Sequence, residues 1–519
     1  MSFYFPIPEQ VVKKSKIVYD CDKCKLYERN KDKLINPKME PVVGNKYNGL
    51  VIVGEHLTPE EDIKKNLLVG EKLGSIRSAF YKNRINLLHE AAITHAAVCA
   101  SKKVTDNQYK CCRRILAEKL LELKPKVIVT LGEMAFKSVM GIKNKIAASK
   151  IRNRIVPNFE FNCIVFPILN PLYINAYHYQ YAIEKDISRI SKLWQKDYHK
   201  RSFINSLLKK RKILDNIKII EVKANQLDEV FRKVNQLDKV ALDYETTNLN
   251  PYDSFFELTH ISFGLENIAW VIHENLWQND LSVWDKVIKN MQSILTNPNI
   301  LKVIQNSKFE DLGSRYIFKI KQIENTFCTM LATHVIDERR GCTSLDFQNL
   351  MRFGIPPYSE TVKAFLMKKE KDDKCNRIRH APHDDLILYA GLDVITTFNN
   401  YLVLTNEIMP NAYPKAFENY EFLHKGHWAF ANMTQRGVSI DETEFSNFYS
   451  LLENNIDKIT NEISNIPEFI EYNKYLEKQS TSKKKGDNKL TELIQATKKG
   501  EQDEETRKIS RINRKVSFG

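Results

Sequence analysis

The sequence predicts an α/β protein: two sheet-containing domains followed by a mainly helical segment. Three observations carry that prediction. Short β-branched runs ending in glycine alternate with an amphipathic helix in the first 195 residues. Four strand-like runs crowd into residues 217–274. From about residue 283 to 460 the apolar residues recur with helical spacing.

The first segment opens its strand signals with "GLVIVGE" (49–55). "CRRILAEKLLELK" (112–124) is an amphipathic helix, "PKVIVTLG" (125–132) a second strand, and "NCIVFPILNP" (162–171) a third. In such alternating folds ligands bind at the carboxyl ends of the strands. A polar, basic connector spans 196–216 and contains "KDYHKRSFINSLLKKRK". The strands expected next are "IKIIEV" (217–222), "KVALDYE" (239–245), "LTHISFGL" (258–265) and "IAWVIHE" (268–274), three of them close enough for an antiparallel meander. The tail, 470–519, is rich in Lys, Glu, Asp, Ser and Gln and reads as an exposed helix pair or a mobile segment.

Length and charge bound the function. A chain of 519 residues predicts three or four domains, at roughly 100–200 residues each. No uninterrupted apolar run reaches the ~20 residues that span a bilayer, and the N-terminus lacks a signal-peptide core. The chain is therefore expected inside the cell, with no membrane partner. Residues 1–200 hold 35 Lys and Arg against 20 Asp and Glu, and residues 201–519 hold 44 of each, so the first domain carries the whole net charge of +15. That asymmetry points to a polyanion, nucleic acid first. Nine cysteines, an odd number in an intracellular chain, argue against a disulfide framework.

Two candidate sites stand out. In "VALDYETTNL" (240–249), Asp243 and Glu245 are two apart on a strand and aim at one point. A divalent cation between them would offset their repulsion, and Mg²⁺ or Mn²⁺ suits oxygen ligands. "QNSKFEDL" (305–312) sets Asn306 and Glu310 four apart, and "YAGLDVITT" (389–397) does the same for Tyr389 and Asp393, each pair expected on one helical face. The second site is thiol-rich. Cys21 and Cys24 form a half-site that Cys99 and Cys112 can complete, and four thiolates suit zinc or an iron–sulfur cluster.

The three acid motifs, in this order, resemble those of DEDD-type 3′–5′ exonucleases, and more narrowly the proofreading domain of family A DNA polymerases. The resemblance implies an RNase H-like (DnaQ-type) domain over 217–410, binding two Mg²⁺ or Mn²⁺ ions. In it Asp243 bridges both metals, Glu245 and Asp393 hold the metal that activates water, and Tyr389 orients that water. It also implies that Asn306 contacts the DNA strand and Leu249 wedges against the terminal base. The family's second motif ends in Asp where Glu310 stands here, so Glu310 or its neighbour Asp311 supplies the fourth acid. "MTQRGVSID" (433–441) resembles the stretch that opens the polymerase thumb, which assigns 411–519 to the start of a thumb. The palm and fingers are not in this sequence, so the chain is expected to be either a fragment or one piece of a split polymerase whose palm and fingers lie on a separate polypeptide.

The first domain, 1–195, resembles family 4 uracil-DNA glycosylases over roughly residues 15–195, through the Cys-x-x-Cys, "VIVGE", "ITHAAVC" and "CCRRILAEKLLELKPKVIVTLGEMAFKSVMG" (111–141). The resemblance implies an α/β sandwich with a [4Fe–4S] cluster on Cys21, Cys24, Cys99 and Cys112, leaving Cys111 spare. In its pocket the family's "GEAPG" loop is here Gly54-Glu55-His56-Leu57-Thr58, Leu68 stands in place of a stacking Phe, His95 in place of an Asn, and Asn170 in place of a catalytic His. Base flipping needs both a stacking platform and paired hydrogen bonds, so base excision is expected to be lost. A glycosylase-like domain ahead of an exonuclease and thumb is similar to the arrangement in some bacteriophage family A polymerases. That implies a replication protein acting on single-stranded 3′ ends and primer–template DNA in the cytoplasm of an infected bacterium. The alternatives are a repair glycosylase fused to a nuclease and a non-catalytic subunit that clamps DNA.

Overall fold

The computed structural model describes residues 21, 24–26, 42–64, 66–143, 146–173, 177–368, 373–408 and 414–482. Residues 1–20 of the first domain and 483–519 of the expected thumb lie outside them. The chain divides into two compact units, Met1–Gln435 and Arg436–Gly519.

The first unit is built on two six-stranded sheets. Sheet one comprises β1 (Val42–Val43), β2 (Leu50–His56), β3 (Ala91–Ala97), β4 (Val127–Leu131), β5 (Val156–Asn158) and β6 (Cys163–Ile168), in the order β1-β3-β2-β4-β6-β5. The four central strands are parallel, and the short edge strands β1 and β5 are antiparallel to their neighbours. Every residue of β2, β3, β4 and β6 is buried, as a parallel sheet covered on both faces requires. Helices α1 (Asp106–Leu123) and α2 (Glu133–Met140) cover one face, packing on Val51, Val53, Ile128 and Val165. Helices α3 (Tyr177–Leu193) and α4 (Arg201–Arg211) cover the other, on Leu50, Ile52, Val129 and Phe166. The alternation of the two residue sets along each strand is the period-two rule at work. The expected basic connector 196–216 is corrected here. Residues 201–211 form α4, and Ile204 and Leu208 are buried in the core of the first domain. Their four-residue spacing outweighs the basic composition that suggests a linker.

Sheet two comprises β7 (Lys218–Glu221), β8 (Lys239–Thr246), β9 (Leu258–Gly264), β10 (Ile268–His273), β11 (Leu301–Ile304) and β12 (Thr326–Cys328), in the order β12-β11-β8-β9-β10-β7. Strands β8, β9 and β10 form the expected antiparallel meander, while β11, β12 and β7 add in parallel. Strands β11 and β12 fall where only helix was expected; four and three residues are too few to print an alternating pattern. Helices α5 (Leu281–Thr296), α6 (Ser307–Phe318), α7 (Thr329–Ile336), α8 (Leu345–Phe353), α9 (His383–Ile408) and α10 (Pro414–Arg436) complete the layer structure. Helix α9 is long and apolar enough to cross a membrane, but 72% of its most apolar stretch is buried. It lies on β8, β9 and β10 and is the central core helix of the second sheet.

The two sheets share a core through α8. Phe347, Leu350 and Met351 pack with Val156, Phe161, Cys163 and Val165 of the first domain. Each such side chain buried contributes about 1.5–3 kcal/mol. Gly354 ends α8 with φ 65°, and a Cβ there would meet the Pro157 carbonyl oxygen at 2.3 Å, so the close approach admits only glycine. Polar contacts flank the apolar seam. Arg154 pairs with Asp337, Arg339 Nη1 donates to the Ser149 carbonyl at 2.7 Å, and Arg211 Nη1 donates to the Ile155 carbonyl at 2.9 Å and to that of Arg352 at 3.2 Å.

The second unit contains α11 (Glu442–Ser464) and α12 (Pro467–Ser482). Asp441 caps α11, accepting from the backbone N–H groups of Thr443 and Glu444. No residue of α11 is buried, and Phe445, Phe448, Leu452, Ile456, Ile459 and Ile463 are exposed along it.

Candidate active site

Strand β8 brings Asp243 and Glu245 to one face of the second sheet, and α9 lowers Asp393 onto the same point. One carboxylate oxygen from each of the three lies within 4.8 Å of the others, the one such trio among the described residues. Asp243 is half-buried; Glu245 and Asp393 are buried. Burial raises all three carboxyls above their usual range, and mutual repulsion adds to it for Asp243 and Glu245. Asp393 is pushed up to about 7 by burial, against opposing hydrogen bonds from Tyr358 and Tyr389. Desolvated acids this close destabilise the fold unless a cation or shared protons neutralise them.

Glu310 sits in the first turn of α6, fully buried, with Oε2 lacking any hydrogen-bond partner. Burial raises its carboxyl, with the Asp243 charge adding most to that and Glu245 less. Asp311 is turned away: it accepts from the Ile323 N–H at 2.8 Å and pairs with Arg315 Nε at 2.7 Å. Of the two acids, Glu310 is therefore the one that faces the trio. Asn306 does not share a helical face with it. The helix begins at Ser307, and Asn306 precedes it as an exposed N-cap in the left-handed conformation, φ 66°. The four-residue spacing misled because a helix boundary falls inside it. Tyr389 and Asp393, both within α9, do share a face. Leu249 projects from the loop after β8 and is 79% exposed. That loop is held by Asn376, whose N–H and Nδ2 donate to the carbonyls of Thr247 and Thr246, and by the Asn248 bond to Lys374.

No sequence motif points to Tyr358. Its hydroxyl donates to Asp393 Oδ1 at 2.6 Å and lies 3.2 Å from Thr396 Oγ1. It stands in "PPYSE", outside any acid motif, and only its aromatic character before a core helix marks it. The orphaned Glu310 oxygen and the buried trio together make a donor set of hard oxygens, which fits Mg²⁺ or Mn²⁺.

The thiols gather in the first domain. Cys24, Cys99 and Cys112 are buried, Cys21 and Cys111 half-buried, and no disulfide links any of the nine. Cys24 and Cys99 share a small core with Leu26. Burial raises the Cys111 thiol to about 11, with Cys24 and Cys21 adding to it. Burial likewise pushes Cys112 up to about 12, with smaller contributions from Cys24 and Cys21. Cys111, expected to be spare, also lies beside Cys24 and Cys21.

In the glycosylase-like pocket each expected residue is committed within the chain. Glu55 accepts from the Met134 N–H and from Asn170 Nδ2, both at 3.0 Å, and Asn170 Oδ1 accepts from the Leu172 N–H. His56 bonds the Tyr109 hydroxyl at 3.1 Å, and His95 Nε2 bonds Glu61 at 3.0 Å. Leu68 is fully buried with φ 52°, a strained conformation held by its N–H bond to Glu61. His95 packs where a side chain on Gly54 would stand, 2.1 Å from that Cβ position. A cavity of about 370 Å³ remains, lined by Glu55, Tyr109, Glu133, Met134 and Asn170 among others. Elsewhere on this domain a groove of about 560 Å³ is lined by Arg152, Lys185, Arg189 and Lys192 with Asp186.

This pair of domains has counterparts among known proteins. Residues 219–409 match the family model for a 3′-5′ exonuclease, and residues 41–196 match that for the uracil DNA glycosylase superfamily. The chain fuses a domain of that superfamily to a 3′–5′ exonuclease domain, with a helical segment after it. Among solved structures it is similar to NrnC of Brucella melitensis, at 18% identity over 40% of this chain and 92% of that one, TM-score 0.29. It is also similar to the catalytic core of RRP6 from Trypanosoma brucei, at 18% identity over 39% and 51%, TM-score 0.27. Escherichia coli RNase D follows, at 16% identity over 40% and 50%, TM-score 0.27. No curated protein matches the chain.

Proposed function

We propose that the chain is the proofreading part of a family A DNA polymerase: a metal-dependent 3′–5′ DNA exonuclease carrying a glycosylase-like domain that binds DNA without excising bases. The observation that carries the reading is the trio Asp243, Glu245 and Asp393, three buried or half-buried carboxylates within 4.8 Å. These would hold two Mg²⁺ or Mn²⁺ ions, with Glu310 reaching the second through water. Such ions make hydroxide available at neutral pH and neutralise the departing 3′ oxygen. Tyr389, bonded to Asp393, orients the attacking water. Water oxygen bonds to phosphorus, the bond to the 3′ oxygen breaks, and a nucleoside 5′-monophosphate leaves. Leu249, exposed on a loop pinned from two sides, braces the terminal base, and Asn306 contacts the strand.

The glycosylase-like pocket supports loss of base excision, since Glu55, His56, Asn170 and His95 Nε2 are bonded within the chain, and of that histidine only Nδ1 has no partner among the described residues. The groove of Arg152, Lys185, Arg189 and Lys192 suits a phosphate backbone. The converging thiols suit a thiolate-bound metal group that staples the loops. A [4Fe–4S] cluster is the group that the glycosylase resemblance implies for these thiols, with zinc as the alternative. Residues 411–519 would form the start of the thumb.

The test uses 3′-labelled single-stranded DNA and RNA, with and without Mg²⁺, and Asp243→Ala as the control. Metal-dependent laddering of DNA, absent in the variant, is expected. Degradation of RNA alone, or abasic sites in uracil-containing DNA without metal, would overturn the reading.

A further inference from the structure

Helix α8 is built inside out for the domain it belongs to. Its apolar residues, Phe347, Leu350 and Met351, face the sheet of the glycosylase-like domain. Its polar residues face the exonuclease's own helices. Gln348 accepts from Thr333 and Arg352, at 2.7 and 2.8 Å. Asn349 donates to Thr396 at 3.1 Å and accepts from Asn400 at 2.8 Å. Arg352 donates to Asn400 at 2.9 Å. These groups are buried and bonded to one another, so they fix α8 against α9 in a single register. Thr396, the partner of Asn349, lies one helical turn beyond Asp393 and 3.2 Å from the Tyr358 hydroxyl. Asn349 Nδ2 also lies 3.4 Å from that hydroxyl. A continuous path of contacts thus runs from the first sheet, through α8 and Asn349, to Tyr358 and Oδ1 of the site carboxylate Asp393.

We infer that the glycosylase-like domain has a second role as a fixed support for the nuclease site, delivered through α8 to Tyr358, a positioning residue that orients Asp393. The inference rests on the proposed nuclease reading. Without the Tyr358 bond, Asp393 could rotate about its side chain, and the trio would lose its common focus. Without the first domain, α8 would have no apolar surface to rest on and nothing to hold Asn349 against Thr396.

The experiment measures Mn²⁺ binding to the full chain by electron paramagnetic resonance, alongside Mg²⁺ half-saturation of DNA degradation. Tyr358→Phe removes one hydroxyl and keeps the ring. Outer-shell partners of metal ligands are worth about 10–100-fold in metal affinity, and Tyr358→Phe is expected to weaken Mn²⁺ binding by about 10-fold with an unchanged melting profile. Leu350→Val, at the seam, is expected to weaken it by about 3-fold, whereas Ile187→Val, on the opposite face of the first sheet, leaves it unchanged. Wild-type affinity in Tyr358→Phe overturns the positioning role, and equal effects of the two valine variants overturn the support role. A wild-type chain that binds no Mn²⁺ removes the nuclease reading itself, a result distinct from either.

Discussion

Replacing Asp243 by Asn should stabilise the metal-free protein while abolishing its activity. Carboxylate oxygens of the trio lie within 4.8 Å of one another. At an effective dielectric constant of about 20, two unit charges at that distance repel by about 3.5 kcal/mol. Asparagine keeps the shape and removes one charge. Partial protonation in the wild type shares out some of the strain, so a gain of about 1–3 kcal/mol is expected above pH 8. In a domain of this size that is a rise in melting temperature of roughly 2–10 °C. The sign with pH follows from the raised carboxyls. Asp393 titrates near 7 in the fold and near 3.9 when unfolded. Its burial is harmless below pH 4 and increasingly unfavourable as pH rises from 4 through 7. The wild type in EDTA should therefore melt progressively lower across that interval, with Asp243, Glu245 and Glu310, also raised by burial, adding to the fall as each ionises. Millimolar Mg²⁺ should restore the wild type through binding to the native state alone, and should leave Asp243→Asn unmoved. The assay is differential scanning calorimetry at pH 5 and 8.5, with EDTA or Mg²⁺. An Asp243→Asn variant that melts no higher than wild type in EDTA at pH 8.5 would show that the acids do not repel one another, and the site as described would fail.

Other outcomes are specific enough to test. Glu310→Gln should slow DNA degradation 10- to 100-fold, on the scale of an outer-shell ligand group, with little loss of stability. Asp311→Ala should do the reverse, costing about 3 kcal/mol in urea melts by stranding buried Arg315 while activity per folded molecule holds. Leu249→Ala, at an exposed position, should leave stability within about 0.5 kcal/mol yet slow removal of paired 3′ ends more than single-stranded ones. Iron analysis should find about four irons per chain, as a cubane cluster demands. Serine at Cys24 should remove them, and serine at Cys111 against serine at Cys112 should show which of the two adjacent thiols is the fourth ligand.

Much of the fold and the acid cluster was legible because both depend on short-range spacing. The i, i+2 acids of β8 and the i, i+4 pair of α9 need only the local geometry of a strand or helix to converge. What stayed hidden depends on boundaries or on distant contacts. Asn306 and Glu310 have the same spacing as Tyr389 and Asp393, but a helix start between them splits their directions. Strands β11 and β12 carry too few residues to reveal a period. Helix α4 reads as a linker because four of its eleven residues are cationic, and only its two core contacts show otherwise. Tyr358 belongs to no motif, since its meaning comes from a residue 35 positions later. The pocket residues Glu55, His56, Leu68, His95 and Asn170 could be read as departures, but not as partners of Met134, Tyr109 and Glu61, which lie in other elements.

The reversed polarity of α8 bears on how such a protein can be made and divided. A ribosome releases the first domain before the nuclease, so a folded greasy platform already waits when residues 345–353 emerge. The later domain assembles against a template that its own sequence does not encode. Cutting the gene between the two sheets would leave Phe347, Leu350 and Met351 facing water, a sticky stripe that invites aggregation. The two halves are thus bound by manufacture as well as by covalent chain, and neither could be lost or exchanged without rewriting the helix that both treat as their own.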